Sequence, residues 1–134
     1  MEKEFIEYEQ ALALKELGFE SPYPIGGYQG GKVFYYEKGE LYYDGRPMYS
    51  SDAHSGQLLA PLYQQAFRWF REKKIHSIVQ EYAFKNYMFS IDDGINLDVE
   101  VIGYDTYEEA ELECLKRLIE IVKKQQEYES NIIV

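Results

Sequence analysis

Two neighbouring segments with different periodicities constrain this chain most. In the first, Ile95, Leu97, Val99 and Val101 alternate with Asn96, Asp98 and Glu100, the period-two pattern of a strand with one wet face. Shortly after it, Thr106-Tyr107-Glu108-Glu109 has the form of a capping box, in which a hydroxyl and a carboxylate satisfy free backbone N–H groups at a helix start. The helix that follows carries Ala110, Leu112, Cys114, Leu115, Leu118, Ile119, Ile121 and Val122, which at roughly 100° per residue cover an arc of about 200°. That arc is wide enough to touch more than one neighbour, a sheet plus another helix or a dimer partner. A one-sided strand feeding such a helix buries both apolar surfaces when the helix packs on a sheet, so the chain belongs in the α+β class.

A second amphipathic helix lies in the middle of the chain, within Leu58–Lys74. Leu62, Tyr63, Ala66, Phe67, Trp69 and Phe70 fall on one side of it, and Gln64, Gln65, Arg68, Arg71 and Glu72 on the other. Pro61 suits its first helical position, and Arg71, Lys73 and Lys74 suit its negative end. An earlier helix is expected from Phe5 to Leu17, stopped by Gly18.

Lys32–Glu37 and Glu40–Asp44 flank Lys38-Gly39 and read as an aromatic β-hairpin. The segment from Arg46 to Gln57 reads as a surface loop. Strand-like runs near His76–Tyr82, Tyr87–Ile91 and Ile95–Ile102 suggest an antiparallel meander. The expected order is therefore α-β-β-α-β-β-β-α, a single α+β domain over residues 1–124 with antiparallel strands packed against helices. Residues 125–134 are expected as a polar C-terminal tail with the apolar tip Ile132-Ile133-Val134.

The 134 residues match one ordinary domain. The formal net charge of −10, from 24 acidic and 14 basic side chains, disfavours direct binding to nucleic-acid phosphates or anionic lipid. Cys114 is the only cysteine, which excludes an intramolecular disulfide and fits a reducing compartment. With no signal-like N-terminus and no apolar run long enough to span a bilayer, the sequence reads as cytoplasmic.

No stretch combines the residue types of catalysis with their structural context, and no cofactor is expected. Gly26–Val33 approaches a phosphate-binding loop, but Val33 lacks the required hydroxyl and a strand follows where a helix should begin. Ser51, Asp52, His54 and Ser55 supply hydrolase residue types within one short loop, without a nucleophile elbow. His54 and His76 lack metal-ligand spacing and form a site only if the fold brings them to Asp52, Asp92 or Asp93. Cys114 lies in an apolar arc and reads as a core residue.

The unusual composition is tyrosine, 14 residues in all. Tyr35, Tyr36, Tyr42 and Tyr43 of the aromatic hairpin form the candidate partner surface, flanked by Glu37, Glu40 and Asp44, so a protein partner suits them better than stacked bases. Three stretches, Tyr8–Phe19, Leu59–Glu72 and Tyr107–Lys123, resemble a family of small proteins from gut bacteria and their phages that has no assigned activity. The resemblance implies a mobile-element origin and transfers no functional residue. The reading reached is a small acidic protein-interaction module with a foreign protein or a second copy as partner. The alternatives are a phage-type inhibitor that mimics nucleic acid through surface carboxylates, and a small enzyme or metal-binding protein using His54 or His76.

Overall fold

The computed structural model describes residues 5–19, 33–38, 40–44, 57–94 and 99–132. The described elements are α1 (Tyr8–Glu16), β1 (Val33–Glu37), β2 (Glu40–Asp44), β3 (Gln57–Leu59), α2 (Tyr63–Glu72), β4 (His76–Ala83), β5 (Asn86–Asp92), β6 (Val99–Tyr104) and α3 (Tyr107–Ile132). The fold is α+β, with antiparallel strands packed against helices. It contains one strand, β3, that the expected order lacks. By contacts the chain divides into two compact units, Met1–Trp69 and Phe70–Val134.

In the first unit the strand order is β2-β1-β3, both pairings antiparallel. Gln57–Leu59 has no alternation of its own, and β1 recruits it through the Tyr35–Leu59 to Glu37–Gln57 register. The chain then stays extended. Phe5 bridges Leu62, and the Ile6 N–H donates to the Pro61 carbonyl at 2.9 Å. These contacts hold both Phe5 and Pro61 out of helices, so α1 begins at Tyr8 and α2 at Tyr63, each later than its apolar pattern suggests. The Leu62 N–H donates to Gln65 Oε1 at 2.9 Å, one half of a capping box.

Helix α1 ends as expected. The Gly18 N–H donates to the Lys15 carbonyl and the Phe19 N–H to the Leu14 carbonyl, with Gly18 at φ 96°, the left-handed cap that glycine adopts without steric cost. Phe5, Ile6, Ala11, Leu14 and Phe19 are buried, and the Phe19 ring meets the Trp69 edge at 5.7 Å.

The second unit is a three-stranded antiparallel layer, β4-β5-β6, with α3 packed on one side. It opens with the same cap geometry that closes α1. The Lys74 and Ile75 N–H groups donate to the Arg71 and Phe70 carbonyls, but here Lys74 occupies the left-handed position at φ 67°. Ile75 and Phe70 are both buried, the apolar contact that accompanies this cap. Helix α3 starts where the capping box places it: the Glu109 N–H donates to Thr106 Oγ1 at 3.1 Å. Its buried residues Ala110, Cys114, Leu115, Leu118, Ile119 and Val122 follow the expected arc. The segment from Gln125, expected as a polar tail, continues the helix to Ile132. Of the run Ile95–Ile102, residues 95–98 lie outside the described residues, and β6 extends past its expected end to Tyr104.

Candidate interaction surface

The hairpin tyrosines occupy two sides of their sheet. Tyr35 pairs with Tyr42 and Phe34 with Tyr43, and because paired positions share a face while successive ones alternate, positions 35 and 42 lie on one face and 36 and 43 on the other. The side chains of Tyr35, Tyr42 and Tyr43 lie outside the described residues. Tyr36 is half-buried: its hydroxyl donates to the Ile6 carbonyl at 3.0 Å, and its ring meets Tyr8 edge-on at 5.4 Å. Burial, reinforced by the Glu7 carboxylate, raises its pKa. Tyr36 thus ties β1 to the N-terminal segment.

His54, together with Ser51, Asp52 and Ser55, lies outside the described residues, as does the glycine-rich stretch Gly26–Val33 up to β1. His76 is exposed at the start of β4, and the ladder sets it opposite Asp92. Asp92 accepts the Gly94 N–H at 2.9 Å through Oδ1, closing the turn after β5. Among the described residues no three His, Cys, Asp or Glu side chains come close enough to hold a metal ion.

Cys114 sits fully buried on the sheet-facing side of α3. Burial pushes its thiol up to about 12, the Ser77 hydroxyl hydrogen-bonded to it pulls the other way, and the Glu111 carboxylate adds to the rise. A thiol with that affinity for its proton is a poor nucleophile near neutrality.

The β4-β5-β6 layer has two unlike faces. Register and burial place Ser77 and Val79 of β4, Phe89 and Ile91 of β5 and Val101 of β6 under α3. Phe89 stacks on Tyr104 at 5.9 Å, and Tyr87 meets Tyr107 edge-on at 6.4 Å, which seats the first turn of α3. Burial raises the pKa of both Tyr104 and Tyr107.

By register the opposite face carries positions His76, Ile78, Gln80, Met88, Ser90, Asp92, Glu100 and Ile102. Ile78 is 58 % exposed and Ile102 60 %. Gln80 Nε2 approaches Met88 Sδ at 3.7 Å between them. At the β4–β5 turn Phe84 is 84 % exposed, with the Lys85 ammonium 5.3 Å from its ring centre. Single exposed apolar side chains are ordinary, whereas several on one face and its adjoining turn mark a contact surface.

Sequence reasoning missed this surface. Ile78 and Val79 are adjacent and both apolar, so the β4 pattern does not say which one faces water. Phe84 falls between the run expected to end at Tyr82 and the one expected to begin at Tyr87, where nothing in the pattern marks its exposure.

No family model, no curated protein and no solved structure matches this chain. Among the described residues no helix is long and apolar enough to cross a membrane.

Proposed function

We propose that this chain is a protein-interaction module whose contact surface is the open face of the β4-β5-β6 layer, with the Phe84 turn at its rim. The observation that carries the reading is the exposure of Ile78 and Ile102 on the side of the sheet opposite the one on which α3 packs. The partner is a protein with an apolar strip about three strands wide, since neighbouring strands lie about 4.8 Å apart. Helical mimicry of nucleic acid has less support: on α3 the Lys116 ammonium lies 3.1 Å from the Glu113 carboxylate and Arg117 lies 3.5 Å from Glu120, so cations interrupt the acidic series. The mobile-element setting implied by the helix motifs is compatible with such a module and belongs to the same proposal.

The test compares retention of proteins from a lysate of the source cell by the wild-type chain and by the double variant Ile78→Lys/Ile102→Lys. A protein held by the first and lost by the second, at unchanged melting temperature, supports the open face as the surface. Equal retention by both chains sinks it.

A further inference from the structure

The segment that leads into α1 is held by a hydrogen bond that a side chain makes in place of the backbone. Phe5 bridges Leu62 in antiparallel sense, so the next residues along, Ile6 and Pro61, stand directly opposite each other. Next to a bridge of this kind, an opposed pair ordinarily exchanges two backbone hydrogen bonds, one in each direction. The Ile6 N–H makes the first, to the Pro61 carbonyl at 2.9 Å. Proline has no N–H, so the second cannot form.

The Ile6 carbonyl therefore needs a donor at a place closed to water. Ile6 is buried, and so is the Pro61 side chain. Helix α1 supplies no donor either, because Ile6 precedes its N-cap residue Glu7, and the Ala11 N–H donates to the Glu7 carbonyl. A buried carbonyl left unpaired costs free energy comparable to a lost hydrogen bond. The Tyr36 hydroxyl fills the gap, donating to the Ile6 carbonyl at 3.0 Å. Register brings it there: β1 pairs Tyr36 with Leu58, three residues before Pro61, and the Tyr8 ring meets the phenol edge-on at 5.4 Å.

We propose that Tyr36 is a latch on an N-terminal strap, Phe5-Ile6: its hydroxyl stands in for the N–H that Pro61 lacks, and this bond sets how readily the strap opens. A side-chain donor differs from a backbone one in its consequences. It can swing away while the β1 backbone stays paired with β2 and β3, so the strap can lift without dissolving the sheet. Proteins open in such local units as well as globally. Lifting the strap uncovers the seats of Phe5 and Ile6, both buried when it is closed. The latch lies wholly within the first unit and is independent of the β4-β5-β6 face.

The test is amide hydrogen exchange of the full chain, read residue by residue by NMR, at a pH where Tyr36 is protonated. Tyr36→Phe keeps the ring and removes the donor. It is expected to speed exchange of the Ile6 amide about tenfold, the equilibrium worth of one hydrogen bond, with Leu14 and Phe89 unchanged. Adding Pro61→Ala returns an N–H opposite the Ile6 carbonyl, and Tyr36→Phe/Pro61→Ala is expected to recover the slow exchange of the wild type. Should Pro61→Ala fail to fold, Tyr8→Leu takes its place: it removes the ring against Tyr36, keeps the hydroxyl, and is expected to leave Ile6 slow.

An Ile6 amide indifferent to Tyr36→Phe overturns the proposal. So does equal acceleration at Ile6 and Leu14, which would make Tyr36 a packing residue of the whole unit. A folded double variant that exchanges as fast as Tyr36→Phe alone, or a Tyr8→Leu chain that does so, overturns it equally.

Discussion

The two faces of the β4-β5-β6 layer are built from the same strands, residue by residue in alternation, and yet they differ in kind. Under α3, Phe89 and Ile91 are closed off from water, and the Ser77 hydroxyl is hydrogen-bonded to Cys114. On the other side Ile78 and Ile102 stand in water, on a face whose other positions are His76, Gln80, Met88, Ser90, Asp92 and Glu100. The stability of the layer therefore comes from one face, and the other is free to carry contacts without being needed for folding. That separation is measurable, because substitutions on the two faces should act on different observables.

Phe89→Ala is expected to have the largest effect. The ring is buried between Val79 and Val101 of the neighbouring strands and stacks on Tyr104, and large-to-small changes of a buried Phe cost about 3–5 kcal/mol. The midpoint of urea unfolding should fall sharply. A shift corresponding to under ~1 kcal/mol would mean that α3 does not cover this face.

A second effect on the covered face depends on pH. The Cys114 thiol is raised from 9.0 to about 12 in the fold, so the unfolded chain releases that proton first. Between those limits the unfolded state binds fewer protons, and stability falls as pH rises, with a slope of up to ~1.4 kcal/mol per pH unit from this one group. Below pH 9 the contribution is complete. Tyr36, Tyr87, Tyr104 and Tyr107 are raised above 10.0 and add their own losses at higher pH, so the interval just above pH 9 isolates the thiol. Unfolding curves of the wild type should show this slope, and those of Cys114→Ala should be flatter there although the variant starts lower. Equal slopes would place Cys114 in contact with water.

Much of the covered face was legible in the sequence. Thr106 and Glu109 stood at the spacing of a capping box, and the apolar arc from Ala110 to Val122 matched the buried side of α3. Thr106→Ala should cost about 1 kcal/mol, the worth of one such cap, read as a lower melting temperature. Gly18 likewise announced the end of α1. What was not legible depends on partners distant in the chain. Gln57–Leu59 becomes a strand only because β1 accepts it, and Pro61 stays outside α2 because Ile6 donates to its carbonyl. Gln125–Asn131 has neither glycine nor proline to stop a helix, so polarity alone was a poor sign of a tail. Of the hairpin tyrosines, the sequence pattern did not reveal that Tyr36 anchors on the Ile6 carbonyl, a contact across thirty positions. The open face was illegible for a simpler reason: strand propensity makes Ile78 and Ile102 good strand residues whichever way they point.

The smallest expected effect on stability is therefore the sharpest check of the comparison. Ile102→Thr keeps a β-branched side chain on β6, so backbone preference changes little, and it removes apolar surface that is already 60 % exposed. Unfolding free energy should change by no more than about 0.5 kcal/mol, the range of ordinary surface substitutions. Binding should behave oppositely, since a hydroxyl placed in an apolar contact must find a partner or lose its hydration. If Ile102→Thr instead lowers stability as a buried Ile change would, Ile102 is covered within the folded chain and the open face is part of the core. If stability holds while partner retention falls, the face is a surface kept apolar for contact, and the division of labour between the two sides of one sheet is established by a single residue.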